Sequence, residues 1–311
     1  MFSDSRFALL HRMDFKATRR MNMSRRIRTL FIGNRPAIFH SLIRNENIEL
    51  VEVLATDRSL LDIDDYAGSI SLLAASGEKQ KVVNAMMNCD YELLVSAGCP
   101  YVLPVEKCSE EKICINSHPS VLPLGRGKHP INECLLSGHK VAGSTLHYLS
   151  RELDEGDIIH QKSFELSEDI DLDILYSFIF DFECEVFEEG LQKLIDTNFD
   201  FRGRPQTGVS SYYSRQDADM VFDVRTGDID DLLRKTRAFS SRNLGIRVSL
   251  GDTRIRVHKA SRIHNRFLQE RYRHCEPGSV AINRESVLIV RMQDGLVRFD
   301  AWWRDTDIDS L

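Results

Sequence analysis

Asn116 and His118 stand two residues apart at the end of a short apolar run, Ile113-Cys114-Ile115. On a strand, residues i and i+2 leave the same face, so both side chains would reach one bound group. Their types suit joint action on a carbonyl. A neutral imidazole can take a proton from a nucleophile, and an asparagine amide can donate a hydrogen bond to an oxygen on which negative charge builds. A carboxylate arriving later in the chain could hold the imidazole in one tautomer. The turn Leu153-Asp154-Glu155-Gly156-Asp157 carries such carboxylates, and Gly156 there permits a tight turn that brings backbone close to a ligand.

The elements needed to position these residues can be read from the pattern around them. Residues 28–33 form a buried first strand ending in a glycine, residues 36–44 a helix, 49–55 a strand covered on both faces, 76–89 a helix, and 91–97 another buried strand. Ile113-Cys114-Ile115 would be the next strand, and 141–149 and 157–166 a final pair with the Asp154 turn between them, which can carry Asp154 back to His118. Such alternation implies a Rossmann-like, mostly parallel sheet in an α/β domain, whose ligands sit beyond the carboxyl ends of the strands. Residues 98–104 and 116–123 both fall there. Gly33-Asn34-Arg35 is not a GxGxxG fingerprint, so no dinucleotide is inferred. Leu172, Leu175, Tyr176, Ile179, Val186, Phe187 and Leu194 recur near the helical period behind Asp171, a plausible N-cap, and read as a core face.

Composition changes after Phe199. Arg202-Gly203-Arg204-Pro205-Gln206-Thr207-Gly208 reads as a linker, taken as 201–214. Beyond it, one helix over 228–239 and strands over 245–250, 254–260, 279–282, 287–291 and 296–302 predict a smaller, mainly β domain, 215–311, built as a small barrel or a twisted antiparallel sheet. The catalytic domain would then span 27–200, and the basic stretch 1–26 reads as a disordered lead-in or a mis-assigned start.

The stretch from Cys114 through Gln161, with Gly143-Ser144-Thr145-Leu146-His147 and Asp157-Ile158-Ile159-His160-Gln161, resembles the formyltransferase family, which moves a formyl group from 10-formyltetrahydrofolate to an amine. That resemblance implies catalytic roles for Asn116, His118 and Asp154. It implies folate contacts from Ser120, Val121, Leu122 and Pro123, with Tyr101, Val102, Leu103, Gly156 and Asp157 around them, and a structural hydrogen-bonding role for His147. The cosubstrate is the folate, and the mechanism requires no metal. Arg126-Gly127-Lys128-His129-Pro130 is similar to the loops of sugar N-formyltransferases of polysaccharide pathways, which implies a nucleotide-linked amino sugar with Arg126, Lys128 and His129 facing it. The C-terminal part resembles, more loosely, the domain appended to methionyl-tRNA formyltransferases, so charged tRNA is the alternative substrate, and another small amine a further one.

Composition bears on that choice. The chain of 311 residues has 41 Lys and Arg against 47 Asp and Glu, a formal charge of −6, which argues against nucleic acid as the main partner. Seven cysteines without a CxxC pair predict reduced thiols in a cytoplasmic protein and no zinc site. No run approaches the ~20 apolar residues of a membrane span. Tyr212-Tyr213 and Trp302-Trp303 would pack a core or an interface, which leaves a homodimer open.

Overall fold

The computed structural model describes residues 25–61, 66–73, 77–241, 243–284 and 287–304. The expected lead-in therefore lies outside the described residues except for Arg25 and Arg26. The first sheet is built from β1 (Ile27–Gly33), β2 (Ile48–Ala55), β3 (Ile70–Leu72), β4 (Leu93–Ala97), β5 (Ile113–His118), β6 (Val141–Tyr148) and β7 (Ile158–Glu165). Its strand order is β3-β2-β1-β4-β5-β6-β7. The pairings are parallel as far as β5 and antiparallel from β5 through β7.

Both faces of this sheet are covered, which is why its strands read as continuous apolar runs rather than alternating ones. In β1, Phe31 packs with α1 (Pro36–Arg44) and the C-terminal half of α4 (Leu172–Asp196) on one face. Its neighbours Leu30 and Ile32 pack with α2 (Lys79–Asn88) on the other. Gly33 ends the strand where a Cβ would stand 2.0 Å from the Ala97 carbonyl oxygen, so only glycine lets β1 and β4 converge there. Asp171 caps α4 by accepting from the Ile174 amide at 3.0 Å, a contact worth ~1 kcal/mol. Fully buried α4 side chains such as Phe187 each contribute ~1.5–3 kcal/mol. Tyr176, expected in the core stripe, is 38% exposed and lies against Phe180.

The second sheet has the order β11-β12-β13-β10-β9-β8. Its strands are β8 (Val221–Phe222), β9 (Ile246–Leu250), β10 (Thr253–Ile263), β11 (Val280–Arg284), β12 (Val287–Met292) and β13 (Gly295–Arg304). It is antiparallel except for the β8 and β9 pair. Two further helices, α5 (Ile229–Ala238) and α6 (Arg266–Arg271), belong to this part, and α3 (Pro130–Leu136) to the first. One continuous core holds Leu172, Leu175 and Ile179 of α4, Ile131 and Leu135 of α3, Ile229 and Leu232 of α5, and Val248, Val257, Val290 and Phe299 of the second sheet. The two parts therefore share an interior rather than meeting at a flexible joint.

The segment expected as a linker is hydrogen-bonded to the first part at several points. Arg204 exchanges backbone hydrogen bonds with Ile158 at 2.8 and 2.9 Å. Further along, Ser211 donates to the Pro123 carbonyl at 3.2 Å, Arg126 to the Ser211 carbonyl at 3.0 Å, and Tyr213 to the Arg126 carbonyl at 2.9 Å. Glycine, proline and polar side chains signal an irregular path, but such a path can be bonded along its length.

Candidate functional site

Sequence placed the strand before the motif; the structure extends β5 through it, so Asn116 and His118 project from one face of a central strand at its carboxyl end. Both are buried, at 9% and 6% exposure. The antiparallel register of β6 sets His147 directly opposite Asn116 and Thr145 opposite His118.

That register fixes the asparagine. His147 Nδ1 lies 2.8 Å from the Tyr148 carbonyl oxygen and must donate to it, which leaves Nε2 as an acceptor for Asn116 Nδ2 at 3.1 Å. Complete burial pushes the His147 pKa down to about 4, against the opposing pull of Asp154, so the ring is neutral at physiological pH. One amide hydrogen of Asn116 is thereby spent, and its second remains available.

His118 Nε2 lies 2.7 Å from the Gly125 carbonyl oxygen and donates to it. Its Nδ1 is then the bare nitrogen, 3.9 Å from Asp154 Oδ2. Asp154 sits between the two imidazoles, with Oδ1 3.8 Å from His147 Nε2. The carboxylate is 6% exposed, and Oδ2 accepts from the Gly127 amide at 2.9 Å. Its backbone occupies the left-handed region at φ 56°, uncommon for a residue with a side chain. Two residues on, a Cβ at Gly156 would stand 1.7 Å from the Tyr148 carbonyl oxygen, so the turn can lie flat on β6 only with glycine there. The turn between β6 and β7 thus brings Asp154 to His118 as the sequence predicted.

The other expected contacts divide. Val102 is 51% exposed at the lip beyond β4, whereas Leu103 and Leu122 are buried in the protein. Ser120 Oγ is buried without a hydrogen-bond partner among the described residues, and its backbone is held by the His118 carbonyl and Thr145 Oγ1. Leu122 donates to Thr145 Oγ1 and accepts from Gln161, so the Ser120 to Pro123 loop is rigid and offers a ligand chiefly half-buried Val121 and Pro123. Tyr101 and Asp157 are half-buried nearby.

Among the three residues expected to face a substrate, Arg126 is committed to the protein. Its guanidinium donates to Glu155 and to Gln206 Oε1. His129 Nδ1 accepts from the Arg215 amide at 3.1 Å, and burial followed by the Arg215 and Lys128 charges lowers its pKa. Lys128 alone of the three is exposed. Sequence reasoning missed Gln206, which carries no local signal: its partners lie about 50 residues earlier in the chain. Among the described residues no group of three metal-ligating side chains converges, and no helix is long and apolar enough to cross a membrane.

Asn116, His118 and Asp154 thus converge at the carboxyl end of a mostly parallel sheet in an α/β fold. Residues 38–191, about half of the chain, match the family model described as formyl transferase, and that region belongs to the family. Over 104 residues it is 36% identical to methionyl-tRNA formyltransferase of Caldanaerobacter subterraneus subsp. tengcongensis, a match covering 33% of this chain and 34% of that one. The chain thus spans about a third of the length of the first curated relatives it matches. A longer match, 27% identical, covers 72% of this chain and 68% of methionyl-tRNA formyltransferase from Ehrlichia canis. In fold it is similar to an N-formyltransferase from Helicobacter canadensis solved in complex with folinic acid and dTDP-3-aminofucose, with a TM-score of 0.63, 17% identity and coverage of 88% of this chain and 98% of that one.

Proposed function

We propose that the protein transfers a formyl group from 10-formyltetrahydrofolate to the amine of a nucleotide-linked amino sugar. The observation that carries the transfer is the convergence of Asn116, His118 and Asp154, with the bare Nδ1 of His118 facing a buried carboxylate. The folate supplies an activated formyl group when bound. Val102 and half-buried Val121 suit apolar contact with a heterocycle, and Tyr101, Pro123, Gly156 and Asp157 border the same space.

The residues then divide the work. His118 Nδ1 accepts the proton of the incoming amine, leaving an imidazolium with N–H groups toward Gly125 and Asp154. Asp154 stabilises that cation in a site where water is scarce. Asn116, with one amide hydrogen already given to His147, turns the other toward the formyl oxygen as charge grows there; losing such a donor typically costs about 3 kcal/mol. The proton held by His118 is available to return to the leaving nitrogen.

For the sugar substrate, the support is the fold shared with an enzyme solved with a nucleotide sugar, together with exposed Lys128 beside the site and the net charge of −6. The second reading, transfer to charged initiator tRNA, is favoured by the names of the sequence relatives. A panel of amino-sugar nucleotides and charged initiator tRNA, each supplied with 10-formyltetrahydrofolate, separates them. Formylation of a nucleotide sugar and none of tRNA supports the first; the reverse promotes the second and leaves the catalytic assignments in place.

A further inference from the structure

The segment from Arg204 to Tyr213 is pinned at both ends to the loops that carry the site. At one end Arg204 pairs with Ile158, immediately after the Asp154 turn. At the other, Tyr212 bridges to Arg126, and Ser211 Oγ accepts from the Gly125 amide at 2.8 Å, beside the carbonyl that holds His118. Between these anchors one side chain reaches inward. Gln206 Nε2 donates to the carbonyl oxygens of Asp154 at 2.8 Å and Gly156 at 2.9 Å, and Gln206 Oε1 accepts from Arg126 Nη2 at 2.9 Å.

We propose that Gln206 is a positioning residue for the Asp154 carboxylate, clamping the turn so that the carboxylate faces His118. This rests on the proposed transfer reaction. Asp154 sits in the left-handed region, which few residues with a side chain adopt, and Gln206 bonds the turn at that residue. Gln206 can do so because its amide nitrogen carries two hydrogens and the turn presents two carbonyls to it. Arg126 completes the clamp from the other side, joining Gln206 to Glu155 within the same turn. An Asp154 carboxylate released from this arrangement loses both its 2.9 Å contact to the Gly127 amide and its alignment with His118.

The test compares Gln206→Ala and Gln206→Glu with native protein. Glutamate keeps the size and an acceptor for Arg126 but loses both donors, so both variants should fail alike. A misplaced reacting group costs on the order of 10- to 100-fold, and the loss should fall in kcat with KM for both substrates little changed. In parallel, hydrogen exchange at the Gly127 amide should speed up in both variants while the thermal midpoint holds. Val209→Ala, on the same segment but 82% exposed, should match native protein in every measurement. Native kcat in Gln206→Glu, or unchanged Gly127 exchange in both variants, would overturn the clamp. So would a uniform rise of exchange with a fallen thermal midpoint, which would mark a merely structural role. The exchange measurement needs no turnover, so it tests the clamp even if the protein transfers no formyl group.

Discussion

Replacing His147 with glutamine should remove a pH-dependent part of the protein's stability. Burial holds the native His147 pKa at about 4, below the 6.5 of an exposed histidine. The unfolded chain therefore takes up a proton that the folded one refuses. The sign follows: this contribution is absent above about pH 6.5, grows as an added destabilisation while pH falls, and is complete below about pH 4. The difference between the two values corresponds to about 3 kcal/mol. Carboxylates also titrate near the bottom of this range, so the quantity to measure is the difference between native and His147→Gln, whose side chain does not titrate. Urea denaturation at a series of pH values, followed by circular dichroism and extrapolated to water, supplies it. Native protein should lose about 3 kcal/mol more than the variant between about pH 7 and about pH 4. Curves that stay parallel through this window would refute a neutral, buried His147, and with it the acceptor that orients Asn116.

Other perturbations read neighbouring parts of the site. Gly156→Ala places a methyl carbon 1.7 Å from the Tyr148 carbonyl oxygen, so the Asp154 turn must lift; transfer should fall more than about tenfold, and native rates would show that the turn is not held there. Lys128→Ala should raise KM for a nucleotide sugar more than it lowers kcat, because a ground-state phosphate contact persists in the transition state; steady-state kinetics with an unchanged KM would remove Lys128 from the substrate site.

Much of the fold was legible because burial on both faces leaves an unmistakable record. The apolar strands β1, β2 and β4 declare themselves, and Asp171 and Asp228 mark the starts of α4 and α5, where each accepts from an amide of the first turn. The helix α3 was not foreseen, since it has seven residues and begins at Pro130 inside a loop read for its charges. The three-residue strand β3, largely exposed, carries too few side chains to set a period. At the site, Asn116 and His118 could be paired from type and spacing, whereas Asp154 was singled out by the family resemblance. The destinations of Arg126 and His129 were not, because whether a charged side chain turns outward or inward depends on partners such as Gln206 and Arg215 that lie 80 or more residues away. Residues 201–214 show the same limit: composition reports that a segment is irregular and says nothing of what it bonds to.

The most direct test of the catalytic assignment is a single-turnover measurement with enzyme in excess, using labelled 10-formyltetrahydrofolate and whichever amine the panel identifies. Native protein, Asn116→Ala and His118→Ala should bind the folate with similar affinity. Removing the amide donor should slow the transfer step roughly a hundredfold or more. Loss of the imidazole base should slow it on the order of a hundredfold to ten-thousandfold. Transfer at a native rate by His118→Ala, with the folate bound, would contradict the role given to His118 Nδ1.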